Sequence, residues 1–163
     1  MSKYKVTLET NSVADTQCFG ERLGHWVKQN GNPLCMALVG DLGTGKTHMS
    51  QGIAKGLGVT EEITSPTFSL MNTYMTLAGD IYHFDLYRMD DVSELENIGF
   101  YEFTEDQISI VEWADKFSDE LPEETLWIRI VPIDEHSRAI TLESDLIDHE
   151  TLVEIGGIYV VGN

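Results

Sequence analysis

The segment from Gly40 to Thr47 constrains this chain more than any other part of its sequence. It reads Gly-Asp-Leu-Gly-Thr-Gly-Lys-Thr and matches the pattern G-x-x-x-x-G-K-S/T at every fixed position. Glycines at these places let successive N–H groups point inward and hold phosphate oxygens, without a Cβ in the way. Lys46 adds a mobile charge for the β- and γ-phosphates, and the hydroxyl of Thr47 suits Mg²⁺. The segment therefore predicts a phosphate-binding loop.

The sequence on either side of this loop has the pattern that such a loop requires. The residues from Leu34 to Val39 form a short, continuous apolar run between a proline and a glycine, which predicts a buried strand. Apolar residues then recur every four positions from Met49 to Leu57, until Gly56 and Gly58, which predicts a helix. Strand, loop and helix in this order favour bound phosphate over the alternative, a glycine-rich connection without a ligand.

The remaining periodicity and turn signals predict further elements on both sides of this unit. We expect a strand at Val6 to Leu8, a helix capped by Ser12 that ends at Asn30 to Pro33, a hairpin of Phe68 to Tyr74 and Ile81 to Tyr87, a short helix opened by Ser93 and closed by Gly99, and strands at Ile108 to Val111, Thr125 to Val131 and Ala139 to Leu142.

Charge and composition narrow the class of protein. The 163 residues are enough for one compact domain. Lys and Arg number 10 against 28 Asp and Glu, a formal net charge of −18 that would repel nucleic acid and anionic lipid. The longest apolar run has six residues, whereas a membrane-spanning helix needs about 20. Without a membrane span or a secretory signal, we expect a cytoplasmic protein in which Cys18 and Cys35 are reduced thiols within apolar patterns.

Two acidic residues are candidates for the metal ligand that a phosphate-binding loop needs near its end. Glu112 ends the apolar run from Ile108 to Val111, which is the expected form, and we assign Mg²⁺ binding to it, directly or through water. Asp85 lies in a less apolar strand and would then hold a water, a switch residue or the surroundings of the γ-phosphate. A surface or structural carboxylate is the alternative for each. Trp113, next to Glu112, is interpreted as a core residue rather than as a reporter on the nucleotide.

The segment Thr64-Ser65-Pro66-Thr67 lies between the loop helix and the hairpin. Hydroxyls on a segment stiffened by Pro66 suit a switch that orders around γ-phosphate and Mg²⁺ and relaxes after hydrolysis. An ordinary turn is the alternative interpretation. The acidic stretches from Asp115 to Glu124 and from Glu143 to Glu150 are interpreted as solvated faces, with a docking surface for a basic partner as the alternative.

Four segments taken together resemble the TsaE (YjeE) family. They are the loop from Gly40, Ser-Pro-Thr-Phe from Ser65, Tyr-His-Phe-Asp-Leu-Tyr-Arg from Tyr82 and Val-Glu-Trp from Val111, in the order and spacing of that family. The resemblance covers about residues 10 to 142. It implies an α/β fold of three layers, a P-loop NTPase-like fold with a mixed, mainly parallel central sheet and a hairpin. We expect a single domain of residues 1–163, with the acidic tail from about residue 143 to 163 outside its core.

The resemblance also implies an activity and partners. Members of the family are bacterial ATPases needed for threonylcarbamoyladenosine in tRNA. They bind ATP with Mg²⁺, hydrolyse it slowly and dock on an assembly of TsaB and TsaD, in which TsaD transfers the threonylcarbamoyl group to an adenosine of tRNA. The ATPase resets or regulates that cycle. An acidic chain fits this division of labour, so we expect homologues of TsaD and TsaB as partners and contact with tRNA only through them.

Carried over by motif, the resemblance implies a role for each site residue. Thr47 and Glu112 look like metal ligands, Lys46 and the loop amides like phosphate binders, Thr67 like the switch threonine and Asp85 like an acid needed for hydrolysis. The expected catalytic residues are therefore Lys46, Asp85 and Glu112. The expected nucleotide-binding residues are Gly40, Asp41, Leu42, Gly43, Thr44, Gly45, Lys46, Thr47, His48 and Thr67.

Two residues of the loop depart from the family pattern. Thr44 replaces a common alanine, which a contact through the backbone N–H tolerates, and His48 stands where a second threonine is frequent. The chain beyond Leu142 matches no family pattern. The segments from Asn11 to Thr16 and from Pro132 to Arg138 are our candidates for the two sides of the adenine site.

Two other functions would use the same loop. A small-molecule kinase needs a basic lid over the transferred phosphate, and the few Lys and Arg of this chain leave little for one. A nucleotide-gated binding subunit would bind ATP without any consequence of its hydrolysis. A GTPase is disfavoured because the sequence has no N-K-x-D segment to read guanine.

Overall fold

The computed structural model describes residues 2–41, 43–64, 66 and 69–162. Seven strands are formed by these residues: β1 (Tyr4–Thr10), β2 (Cys35–Val39), β3 (Met71–Thr76), β4 (Gly79–Asp85), β5 (Ile108–Glu112), β6 (Leu126–Pro132) and β7 (Arg138–Ser144). The helices are α1 (Val13–Asn30), α2 (Lys46–Gly56), α3 (Ser93–Asn97), α4 (Phe100–Asp106) and α5 (His149–Gly156), with 3-10 turns at Ala114–Glu120 and Gly157–Tyr159.

The strands form one sheet in the order β1-β7-β6-β2-β5-β4-β3. Its four central strands, β6, β2, β5 and β4, are parallel to one another. At one edge β3 pairs antiparallel with β4, and at the other side β7 runs antiparallel to both β6 and β1. One face of the sheet packs on α1, α2 and α5, and the other face packs on α3, α4 and the 3-10 turn after β5. The predicted three-layer α/β fold with a mixed, mainly parallel sheet and a hairpin is therefore confirmed.

Helix α1 begins and ends as its sequence predicts. The side chain of Ser12 accepts the N–H of Asp15 at 3.0 Å, which satisfies one of the free donors of the first turn. Gly31 closes the helix in the left-handed conformation, with φ 74°, and donates its N–H to the carbonyl of Val27. The apolar stripe between these caps lies against the sheet and against α2.

Helices α1 and α2 approach each other so closely that their backbones touch. A Cβ on Gly24 would lie 2.1 Å from the carbonyl oxygen of Ile53, and a Cβ on Gly56 would lie 2.1 Å from that of Glu21. Glycine is therefore required at both positions by the neighbouring main chain. Gly56 is the last residue of α2, as its sequence predicts, but its main constraint is this contact with α1. The close contact fixes the helix that follows the phosphate-binding loop.

The hairpin is shifted from its predicted position. Its strands are Met71–Thr76 and Gly79–Asp85, whereas Phe68, the predicted first residue, lies outside the described residues. Strand β4 ends at Asp85 rather than at Tyr87, because the Asp85 carboxylate accepts the N–H of Tyr87 at 2.9 Å and turns the chain there.

Three expectations are corrected by the elements and burial observed elsewhere in the chain. Part of the acidic tail belongs to the core, because β7 runs to Ser144 and Leu152 of α5 is fully buried. Helix α4 follows Gly99, where the sequence predicts only the end of a short helix. Cys18 is exposed rather than packed, whereas Cys35 is buried, and both thiols are free. Among the residues described, no helix is long and apolar enough to cross a membrane.

Candidate functional site

The loop from Gly40 to Thr47 joins β2 to α2, as predicted. Gly45 adopts φ 105°, a conformation that a residue with a side chain rarely takes, and the first turn of α2 follows directly. Within the loop, Thr44 donates both its N–H and its hydroxyl to the carbonyl of Asp41, at 3.3 and 2.8 Å. The start of a helix after such a loop offers free N–H groups to an anion. Leu42, a predicted nucleotide-binding residue, lies outside the described residues.

Lys46 is held beside the loop by polar and aromatic contacts. Its ammonium donates to the carbonyls of Gly40 and Asp41, at 2.5 and 2.8 Å, and lies 4.2 Å from the centroid of the Trp113 ring. Burial lowers the pKa of Lys46, and nearby carboxylates, first that of Glu112, oppose this shift. The Lys46 ammonium is thus held by two main-chain carbonyls and an aromatic ring. We predict that phosphate oxygens replace these contacts.

A cleft of about 320 Å³ opens beside the lysine. Its lining brings together seven of the predicted site residues: Gly43, Gly45, Lys46, Thr47, His48, Asp85 and Glu112. Gly40 and Asp41 do not line it but hold Lys46 through their carbonyls. Thr44 lines an adjoining cavity. Thr67, the predicted switch residue, lies outside the described residues.

Asp85 and Glu112 meet at the carboxyl ends of two neighbouring strands. They are register partners in the parallel pair of β4 and β5, and both are almost fully buried, at 4% and 2% exposure. One oxygen of Glu112, Oε2, lies 3.3 Å from the hydroxyl of Ser50 and 2.6 Å from Nε2 of His83. The two acids predicted from separate segments are thus brought to one place.

The donor set of the cleft fits Mg²⁺. The Thr47 hydroxyl and the Glu112 and Asp85 carboxylates are hard oxygen donors, and all three residues line the cleft. Within the described ranges, no group of three or more His, Cys, Asp or Glu could hold a metal ion. Mg²⁺ is commonly bound by one or two protein ligands together with phosphate and water, and this arrangement matches that pattern.

Four residues in or beside the cleft make contacts that the sequence does not predict, although Arg138 belongs to a segment expected beside the adenine and Trp113 adjoins Glu112. Trp113 lines the cleft with φ 59° and is half-buried, with part of its side chain packed against the core, so its interpretation as a core residue is confirmed only in part. Arg138 donates from Nε to the carbonyl of Thr44 at 2.9 Å and ties the β6–β7 turn to the loop. Ser50 and His83 hold Glu112. For His83 a signal was present, because a residue two positions before Asp85 in a strand faces the same side.

A second, smaller cavity adjoins the loop at Thr44 and Gly45. Its lining includes Ser12, Val13 and Thr16 at the start of α1, and Glu135, His136 and Arg138 at the β6–β7 turn, together with His48. These are the two segments that we expect on either side of the adenine. They lie together beside the loop, and their contact with a base stays a prediction.

Comparison with known proteins gives the chain a family. The family model "Threonylcarbamoyl adenosine biosynthesis protein TsaE" matches residues 10–140. The chain is 39% identical over 120 residues to the tRNA threonylcarbamoyladenosine biosynthesis protein TsaE of Bacillus subtilis (strain 168), covering 73% of this chain and 75% of that protein. It is 34% identical over 137 residues to the protein of that name from Treponema pallidum (strain Nichols), covering 82% and 96%.

A solved structure gives the same result for the fold. The crystal structure of Bacillus subtilis YdiB superposes with a TM-score of 0.72 at 29% sequence identity and covers 94% of each chain. The resemblance that the four sequence segments indicate is therefore confirmed over most of the chain. From its motifs, its fold and these relatives, the chain belongs to the TsaE family of tRNA threonylcarbamoyladenosine biosynthesis proteins.

Proposed function

We propose that this protein binds ATP with Mg²⁺, hydrolyses it slowly, and through that cycle supports threonylcarbamoyladenosine formation by acting on a complex of TsaB and TsaD. The observation that carries the proposal is the pair of buried carboxylates, Asp85 and Glu112, in the same cleft as Lys46 and Thr47. A loop kept only for packing has no need of two buried acids beside a buried lysine, because burying such charges is costly.

Each residue of the cleft has a task in this proposal. Loop amides and Lys46 bind the phosphates, with Lys46 leaving the carbonyls of Gly40 and Asp41 for phosphate oxygens. Thr47 and Glu112 hold Mg²⁺, which when bound neutralises charge on the β- and γ-phosphates. Asp85 accepts a hydrogen bond from the attacking water and orients it. The centroid of the Trp113 ring lies 4.2 Å from the Lys46 ammonium, which leaves the ring when phosphate binds.

Slow hydrolysis is expected because the cleft has little positive charge for the transition state. Apart from Lys46, the cation in the cleft lining is Arg138, and its guanidinium already donates to the carbonyls of Thr44, Asp134, Glu135 and Ser137. An arginine supplied to the transferred phosphate accelerates related reactions by about 10³–10⁵-fold. A partner that contributes such a charge, or rearranges the cleft, would raise the rate.

The charge of the chain supports an indirect relation to tRNA. A net charge of −18 opposes binding of the protein to a phosphate backbone. We therefore assign contact with tRNA to the partner proteins and nucleotide binding to this chain.

Nucleotide binding is tested by titration calorimetry of MgATP into the protein and into Lys46→Ala. We expect saturable binding by the wild type and a loss of at least about tenfold in affinity for the variant, since a charged hydrogen bond is removed. GTP competes weakly if the site reads adenine. A well-folded protein that gives no heat with MgATP, alone or with TsaB and TsaD, would refute the proposal.

Hydrolysis is tested with Glu112→Gln. We expect this variant to bind ATP, to lose at least about tenfold in the rate of hydrolysis because a charge acting on the transition state is lost, and to stop multiple turnovers of tRNA modification in a reconstituted system. Unchanged multiple turnover would favour the nucleotide-gated binding subunit. Transfer of phosphate to a small acceptor without partner proteins would favour the kinase.

A further inference from the structure

His83 occupies a place in the fold where its polarity has a cost. The residue is fully buried on β4, and within the described part of the chain its Nδ1 atom has no hydrogen-bond partner. A buried polar atom without a partner destabilises a fold, and an apolar side chain of similar size would avoid that loss. The other ring nitrogen, Nε2, is therefore expected to have a role that an apolar side chain could not fill.

That other nitrogen contacts the acid of the cleft. Nε2 of His83 lies 2.6 Å from Oε2 of Glu112, and the hydroxyl of Ser50 lies 3.3 Å from the same oxygen. The Ser50 hydroxyl donates to Oε2, and His83 donates to the same oxygen in the tautomer that carries its proton on Nε2. Two donors from different elements thus converge on one oxygen of Glu112.

The topology makes this arrangement a bridge between three elements. His83 lies on β4, two residues before Asp85, and Glu112 lies at the end of the neighbouring parallel strand β5. Ser50 lies on α2, one helical turn after Lys46. Glu112 is therefore tied both to the strand that carries Asp85 and to the helix that carries the phosphate-binding lysine.

We propose that His83 and Ser50 are positioning residues that fix the Glu112 carboxylate by holding Oε2, so that its other oxygen faces the metal and phosphate side of the cleft. The inference rests on the proposed ATPase function and deepens it. Partners that orient a metal ligand typically change metal affinity or activity about 10–100-fold when they are removed. Neither residue touches the nucleotide in this proposal, since both act through Glu112.

Three variants test the proposal. His83→Leu removes the donor and keeps an apolar side chain of similar bulk, His83→Gln keeps an N–H donor at the reach of Nε2, and Ser50→Ala removes the second donor with little change in volume. Ser109→Ala is the matched control for the serine, because Ser109 is also fully buried and lies on β5, three residues before Glu112 and thus on the opposite face.

Two measurements are made on each folded variant. Single-turnover hydrolysis with protein in excess over radiolabelled ATP gives the rate of the chemical step even when turnover is slow. Calorimetric affinity for ATP, once with Mg²⁺ and once with EDTA, gives the gain in affinity that depends on the metal. Thermal unfolding of each variant measures its stability separately.

We expect His83→Leu to slow hydrolysis at least about tenfold and to reduce the metal-dependent gain in affinity, while affinity in EDTA stays unchanged. His83→Gln should restore most of the rate. Ser50→Ala should slow hydrolysis about three- to tenfold, since a hydrogen bond to a charged group is lost while His83 still holds the same oxygen, and Ser109→Ala should not. In a Glu112→Gln background, His83→Leu should cause no further loss.

The outcomes separate the two proposals. If the wild type does not hydrolyse ATP, the proposed function fails and this inference fails with it. A second outcome is that the wild type hydrolyses ATP while Ser50→Ala and His83→Leu keep its rate to within about twofold, which is less than the loss expected for a positioning contact. In that case only the positioning role is overturned. A rate loss in His83→Leu that His83→Gln shares equally, and that follows the loss of thermal stability, also overturns it. If His83→Leu does not fold, Ser50→Ala decides.

Discussion

Lys46 and Trp113 face each other in the cleft, with the ammonium nitrogen 4.2 Å from the centroid of the indole ring. Trp113 also packs against Tyr87 at a ring-centroid distance of 4.8 Å. A cation over an indole face is worth about 0.5–2 kcal/mol, less than the contacts that a phosphate offers to the same lysine. Lys46 should therefore leave the ring when a nucleotide binds.

This predicts that Trp113 reports on nucleotide binding. Addition of MgATP or MgADP should change the tryptophan emission in a saturable way, because the charge over the ring moves. The other two tryptophans, Trp26 and Trp127, do not line the cleft. In Trp113→Phe the emission change should disappear while calorimetry still detects binding, and a change that persists in this variant would contradict the expected movement.

A second prediction concerns the two thiols. Burial raises the pKa of Cys35 to about 11, and the nearby side chains of Ser109 and Thr125 oppose this shift only in part. A thiol reacts as the thiolate, so Cys35 should be unreactive at pH 8, about three pH units below its pKa, whereas Cys18 is exposed. Ellman's reagent should titrate one thiol per chain in the native protein and two in denaturant. Cys18→Ser should leave no rapidly reacting thiol, and rapid reaction of Cys35 would contradict its burial.

The parts of the fold that sequence predicts well are those with local signals. The phosphate-binding loop has fixed glycines, the first helix has a serine cap and a glycine stop, and β2 is a continuous apolar run. Helix α5 has such a signal in Asp148, which accepts the N–H of Thr151 at 2.9 Å, but its eight residues are too few to show a clear period among acidic neighbours. Short helices that depend on packing are therefore missed.

The residues of the candidate site also divide into those with a local sequence signal and those whose contacts depend on the fold. Lys46 and Thr47 are predicted from the loop motif and Glu112 from its place after an apolar run, whereas the role of Asp85 is implied by the family resemblance of its segment. Their mutual placement required the strand order, in which β4 and β5 are neighbours although α3 and α4 separate them in sequence. The contact of His83 with Glu112 depends on that pairing and on a diagonal across two strands. The spacing of His83 and Asp85 places both on one face of β4, but it does not show which residue of β5 lies beside His83.

A third prediction tests the backbone contact between α1 and α2. Alanine in the interior of a helix usually stabilises by about 0.5–1 kcal/mol relative to glycine. At Gly24 the sign should reverse, since the added Cβ would lie 2.1 Å from the carbonyl oxygen of Ile53. We expect Gly24→Ala to lower the free energy of unfolding by about 1–3 kcal/mol or more, as overpacking does. Urea denaturation measures the effect.

The control for this prediction is an alanine on the exposed side of the same two helices. Lys55→Ala on α2 removes one weak ion pair with Glu21, at 3.9 Å, and should change stability by less than about 0.5 kcal/mol. If Gly24→Ala proved as stable as the wild type, the two helices would have to lie farther apart than the structure places them, and the position of the loop helix would be in question.

The last prediction concerns the C-terminal helix, which the sequence placed outside the core. Leu152 is fully buried against the sheet, whereas its neighbour Val153 is 37% exposed. Because removing a buried leucine leaves a cavity, Leu152→Ala should lower the free energy of unfolding by about 2–5 kcal/mol. Val153→Ala, one position along the same helix, should cost less than about 1 kcal/mol because little of its contact area is lost. Urea denaturation of the two variants measures this difference. Equal stabilities would mean that α5 does not pack on β1. The part of the chain that follows β7 in the sequence would then lie outside the core.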